Sequence, residues 1–134
     1  MKTVLFVCVH NSGRSQMAEA FLHKLAEGRV RATSAGTEPA EVVDPVVVEV
    51  MREVGIDISR QKTKGLTLEM FEQVDRIITM GCGVEDVCPA DFVETEDWVL
   101  DDPKGRPVAE VRQIREQIQA KVAVLLEEIA CKHE

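Results

Sequence analysis

Cys8-Val9-His10-Asn11-Ser12-Gly13-Arg14-Ser15 sets a thiol and a guanidinium six positions apart, with small and polar residues between them. Upstream lies an apolar, β-branched run, Thr3 to Val9. Downstream, Met17, Phe21 and Leu25 recur at helical spacing. A loop between a strand end and a helix start gathers unpaired N–H groups, and the helix dipole adds positive potential at the same spot. Such a nest receives a tetrahedral oxyanion such as phosphate or arsenate. The same field favours thiolate over thiol at Cys8, and the planar fork of Arg14 can clamp two anion oxygens. The amides of Val9, His10, Asn11, Ser12 and Gly13, with Arg14, form the candidate oxyanion receptor. The chemistry these residues suggest is attack of sulfur on a bound oxyanion.

Strand and helix patterns alternate along the rest of the chain, which is the signature of a parallel sheet covered on both faces. Val30 to Ala35 reads as the second strand. Asp44 caps a helix opening at Pro45, with Val46, Val47, Val50, Met51 and Val54 inward and Gly55 as its stop. A short helix is expected over Leu68 to Gln73 and a third strand over Asp75 to Met80. Gly81 to Phe92 reads as an irregular loop, and Trp98-Val99-Leu100 as the fourth strand. The last helix begins near Pro107, with an apolar stripe at positions 108, 111, 114, 118, 122, 126 and 129. In open parallel sheets ligands bind beyond the carboxyl ends of the strands. Cys8, Ser34, Cys82 and Asp102 each follow an expected strand and should converge on one rim.

With 134 residues, the chain is expected to form one domain over 1–134 with a real core. No apolar run approaches the roughly 18 residues that cross a bilayer, and Val4 to Val9 is too short for a signal peptide. A cytoplasmic location is expected. The net charge of −8 argues against nucleic acid and anionic membranes as partners. Charge is uneven: residues 68–134 hold seven Lys/Arg against sixteen Asp/Glu. An anionic substrate must therefore be held by local donors. The four cysteines at 8, 82, 88 and 131 match no common zinc spacing, and a reducing compartment disfavours static disulfides. Redox or nucleophilic chemistry is the reading they support. Trp98 is expected to pack on the last helix, and Cys131 to be a helix-end residue without a role.

The chain resembles the low-molecular-weight protein tyrosine phosphatase superfamily, and within it the arsenate reductases coupled to thioredoxin. The resemblance rests on Cys8 to Ser15, Ser34-Ala35-Gly36-Thr37, Gly55-Ile56-Asp57-Ile58-Ser59, the pair Cys82 and Cys88, and Trp98 through Asp101-Asp102-Pro103. It implies an α/β single-domain three-layer sandwich, with a four-stranded parallel sheet and helices on both faces. It also implies that Cys8 attacks arsenate while Arg14 and the loop amides hold the oxygens. Ser15 would stabilise the thiolate, Asn11 would brace the loop, and Asp102 would act as general acid. Cys82 would then attack the arsenic adduct and leave a Cys8–Cys82 disulfide. Cys88 would shift that bond to Cys82–Cys88 for reduction by thioredoxin.

Reduction of As(V) to As(III) needs two electrons, which two thiols supply; a phosphatase has no task for extra cysteines. Phosphate and sulfate would act as mimics of arsenate. A low-molecular-weight phosphatase acting on phosphotyrosine is the alternative. Lys104 and Gly105 stand after Asp102-Pro103, where such phosphatases place aromatic residues, and the chain has no tyrosine. A related branch uses a small thiol such as mycothiol and shares the start Thr79-Met80-Gly81-Cys82-Gly83, so the reductant stays open. Some relatives bind potassium through groups matching Asn11, Glu19, Ser34 and an aspartate. Lys64 stands in place of the aspartate, and its ammonium would replace the cation by pairing with Glu19. No metal, no cofactor and a monomer are expected.

Overall fold

The computed structural model describes residues 2–80 and 94–131. Four strands form one sheet in the order β2-β1-β3-β4, all parallel: β1 Lys2–Cys8, β2 Val30–Gly36, β3 Arg76–Thr79 and β4 Glu94–Asp97. Between them run α1 Arg14–Ala26, α2 Pro45–Arg52 and α3 Leu68–Glu72, with α4 Val108–Cys131 at the end. The chain steps from β1 outward to β2 and then back across to β3. The crossovers therefore diverge at the carboxyl end of β1, and a crevice opens there. Cys8 is the last residue of β1.

Alternation along β1 builds two cores. Val4, Phe6 and Cys8 face α1, α2 and α4, meeting Met17, Phe21, Val47, Val50, Ile114 and Ile118. Leu5 and Val7 face the other way, onto Ala35, Phe71, Val74 and Ile77, where α3 and its flanking loops cover the sheet. Every side chain from Val4 to Val7 is fully buried. Each of these contributes about 2 kcal/mol of transfer free energy, so the strand that delivers Cys8 is firmly held between its two neighbours.

Two expectations need correction. The fourth strand is Glu94–Asp97, not Trp98-Val99-Leu100. β3 ends at Thr79, which pairs with Asp97, and Trp98 N–H donates the next bond to the Thr79 carbonyl. Beyond that point no β3 residue remains to pair. Trp98 and Leu100 are buried and Val99 is exposed because the chain is running over the core, not along a ladder. The strand itself is a polar edge, a composition that discourages pairing with other chains but gives no apolar signal. On α4 the stripe includes Leu125, buried, whereas Leu126 only packs at its margin. The expected loop over Gly81 to Phe92, with Cys82 and Cys88, lies outside the described residues.

Candidate active site

The loop from Cys8 to Gly13 is tied down by its carbonyls. Those of Cys8, Val9, His10 and Ser12 accept from the N–H groups of Thr37, Glu38, Ala40 and Asp44 at 3.2, 2.7, 2.9 and 2.9 Å. The Asn11 carbonyl accepts from Gln16 Nε2 at 3.1 Å, and that of Gly13 from Met17 N–H in the first turn of α1. All peptides in the described residues are trans, and a trans peptide points its N–H opposite to its C=O. Anchoring the carbonyls on the 37–44 strap turns the amide hydrogens of the loop away from it, toward the carboxyl end of β1. The strap comes this close because Gly36 has no side chain. A Cβ there would stand 2.7 Å from the Val9 carbonyl oxygen and 2.9 Å from the Asn11 nitrogen.

Asn11 adopts a left-handed conformation, φ 52°, and is fully buried. For a residue other than glycine that costs on the order of 1 kcal/mol, so its surroundings must hold it. Its Oδ1 accepts from the Lys64 backbone N–H at 2.8 Å and from Gln16 Nε2 at 3.0 Å. A backbone N–H can only donate, so Oδ1 is fixed on that side and Nδ2 faces Ser15 Oγ, 2.7 Å away. Ser15 Oγ thus accepts from Asn11 and keeps its single hydrogen available for Cys8 Sγ, 2.9 Å away, a contact in which either atom can donate. Cys8 is 2 % exposed, and α1 begins at Arg14 with its positive end beside the sulfur.

Arg14 is buried, with Nη1 donating to the Leu100 carbonyl at 3.2 Å and Nη2 4.0 Å from Asp102 Oδ2. Those contacts orient the fork and bring in the Asp102 loop. Asp102 is half-exposed, and its Oδ1 accepts from Lys104 N–H at 3.0 Å. Oδ2 is the oxygen nearer Arg14.

The structure therefore joins Cys8, Arg14, Ser15, Asn11 and Asp102 at one rim. Ser34 does not join them. It lies within β2 beside Phe6, and its Oγ donates to Glu19 Oε1 at 3.1 Å. There Glu19 also meets Lys64 Nζ at 3.4 Å and Gln61 Nε2 at 2.8 Å. His10 Nδ1 donates toward the strap, 3.0 Å from the Glu38 carbonyl; since a carbonyl only accepts, Nδ1 carries the hydrogen. Trp98 packs against Phe6, ring centroids 5.8 Å apart, with Lys121 of α4 over its ring. Among the described residues no cluster of three or more His, Cys, Asp or Glu could hold a metal, and no helix is long and apolar enough to cross a membrane.

Sequence did not single out Gln16; it pointed to Gly36 and Thr37 only through the family resemblance and to Asp44 only as a helix cap, not as tethers of the loop. Gln16 is fully buried in the first turn of α1, and its Nε2 faces three oxygens: Asn11 O, Asn11 Oδ1 and Lys62 O. Its only sequence signal is an amide in a turn whose neighbours are buried.

Comparison with known proteins agrees with this geometry. Glutaredoxin arsenate reductase of Synechocystis is 40% identical over 134 residues, covering 97% of this chain and 100% of that protein. A solved arsenate reductase in a phosphate-binding state superposes with a TM-score of 0.86 at 40% identity, covering 96% of this chain and 99% of that one. A thioredoxin-dependent arsenate reductase of Corynebacterium glutamicum gives a TM-score of 0.86 at 38% identity, covering 98% of this chain and 63% of that one. The model of the low molecular weight phosphotyrosine protein phosphatase family matches residues 3–134, and the chain belongs to that family.

Proposed function

We propose that this chain reduces arsenate to arsenite. The observation that supports it most directly is Ser15 Oγ standing 2.9 Å from Cys8 Sγ, beside a loop whose carbonyls at Cys8, Val9, His10 and Ser12 are all bonded to the 37–44 strap. Arsenate would settle on those amides and on the Arg14 fork. Cys8 thiolate attacks arsenic(V), and the departing oxygen takes a proton from Asp102 Oδ2 and leaves as water. Cys82 thiolate then attacks Cys8 sulfur. The S–As electron pair stays with arsenic, which leaves as arsenite, and a Cys8–Cys82 disulfide forms. Cys88 thiolate attacks Cys82, frees Cys8 and makes Cys82–Cys88, which an external dithiol reduces.

Glu19, Ser34 and Lys64 take the role of loop support. The Lys64 backbone fixes Asn11 while its ammonium lies beside Glu19, so no bound cation is needed. Thioredoxin is the proposed reductant, in line with the Corynebacterium relative's name; the Synechocystis relative is named for glutaredoxin. We place the protein in the cytoplasm as a monomer.

The family reading as a phosphatase needs the same nucleophile and receptor. Its weakness here is the floor for an aryl ring, where exposed Lys104 and Gly105 follow Asp102-Pro103. Incubation with arsenate and no reductant, followed by disulfide mapping by mass spectrometry, separates the two. Reduction predicts one arsenite per chain and a Cys82–Cys88 bridge that is lost in Cys8→Ser. Cys88→Ser should complete one round and stop at Cys8–Cys82. Steady hydrolysis of an aryl phosphate with no bridge would favour the phosphatase. Turnover sustained by glutaredoxin or a small thiol, and not by thioredoxin, would reassign the reductant alone.

A further inference from the structure

The loop at residues 101–106 is exposed except at Pro103, which is buried. Its ring sits where a side chain at position 13 would be. A Cβ on Gly13 would stand 2.8 Å from Pro103 Cγ and 3.6 Å from Cδ, with Val47 Cγ2 3.7 Å away. Carbon atoms in contact rest at about 3.5–4.0 Å, and a pyrrolidine ring cannot swing aside as a long side chain does. Any side chain at position 13 would therefore displace the 101–106 loop by on the order of 1 Å. The neighbouring residues make the same junction: Arg14 holds the Leu100 carbonyl at 3.2 Å and stands 4.0 Å from Asp102 Oδ2.

We propose that Gly13 is a positioning residue whose missing side chain forms the seat for Pro103 and so sets where the Asp102 carboxyl stands over the anion loop. The proposal rests on arsenate reduction with Asp102 as the proton donor. Gly13 and Pro103 lie 90 positions apart in sequence, one on the receptor and one on the acid loop. Their contact fixes the two halves of the site relative to each other without either touching substrate through a side chain. The proton donor must stand within hydrogen-bond reach of the departing oxygen, so an error in this seat is felt at the step that expels it. The receptor itself stays intact, because its carbonyls are anchored on the 37–44 strap and not on Pro103.

The test is a mutant cycle on the whole chain, reading arsenate turnover with reductant in excess and phosphate affinity by calorimetry. Gly13→Ala is expected to lower kcat about 10- to 100-fold, the cost of a misplacement of this size. Phosphate affinity should stay within about twofold, since the lost interaction belongs to the transition state. Pro103→Ala removes Cγ and Cδ, so Gly13→Ala with Pro103→Ala should return to within about threefold of Pro103→Ala alone. In an Asp102→Asn background, Gly13→Ala should cost nothing more. The proposal is overturned if kcat and phosphate affinity fall together, if Pro103→Ala fails to restore turnover, or if the Gly13 and Asp102 effects multiply. Should wild type bind phosphate yet turn over no arsenate, the reductase reading fails by itself. The same cycle is then read on aryl phosphate hydrolysis, where Asp102 would protonate the leaving phenol, with the same outcomes deciding.

Discussion

Asn11 Nδ2 donates to Ser15 Oγ at 2.7 Å, which leaves the serine hydrogen available to the nucleophile. The Lys64 backbone N–H pins the other end of the Asn11 amide, so a main-chain donor 53 residues away in sequence sets which amide group the serine meets. Ser15→Ala deletes only the last link. A hydrogen bond to a charged group is worth about 1.5–3 kcal/mol, so alkylation of Cys8 by iodoacetamide at neutral pH should slow at least about 10-fold. An unchanged alkylation rate would remove Ser15 from the chain of donors.

Gln16→Ala should destabilise the fold by about 2 kcal/mol, because it strands the carbonyl of fully buried Asn11 and takes a donor from its Oδ1. Urea unfolding measures this. Ser12→Ala, at a half-buried position on the same loop, is the control and should shift stability by less than about 0.5 kcal/mol.

Exchange of Na⁺ for K⁺ at constant ionic strength should leave both melting temperature and arsenate turnover unchanged. Lys64 is 38% exposed on its side chain and Glu19 12%, so their attraction is screened and worth less than about 1 kcal/mol. What Lys64 supplies is occupancy of the place beside Glu19. Lys64→Asp should gain a potassium response; a potassium response in wild type would show that the ammonium does not fill the place.

Glu53 at the end of α2 bonds Arg112 and Arg115 of α4, at 2.7 and 2.8 Å. Hydrogen bonds from those two guanidinium groups lower its pKa to about 2. Its folded value lies below its unfolded one, so the stabilisation is complete above the ordinary carboxylate value. It is lost as pH falls from there through about 2. Glu53→Gln should melt below wild type at pH 7, and the gap should close on acidification toward pH 2. A gap that widened in acid would reverse the sign of this linkage.

Much of the site was legible because its parts lie close in sequence. Cys8, Arg14 and Ser15 share one strand–loop–helix unit, and an apolar strand followed by a periodic helix announces it. Cores with strict periodicity were equally plain, as Val47, Val50 and Met51 of α2 illustrate. The edge strand was not, because Glu94–Asp97 owes its pairing to Arg76–Thr79 alone and buries no apolar row. Ser34 misled for a related reason: which way a strand residue faces depends on register, and its neighbour Phe6 turned it toward Glu19. The tethers of the loop were hidden altogether. They are main-chain bonds from Thr37, Glu38, Ala40 and Asp44, and main-chain groups leave no mark on residue identity.

The strap that holds the loop carbonyls belongs to the connection between β2 and α2, so the cradle exists only once β2 and α2 have assembled beside β1. An unfolded or half-synthesised copy possesses the same eight residues but no organised amide hydrogens. Its sulfur is then an ordinary cellular thiol, indifferent to oxyanions. Reactivity is thus conferred late, by assembly, and withdrawn whenever the chain comes apart.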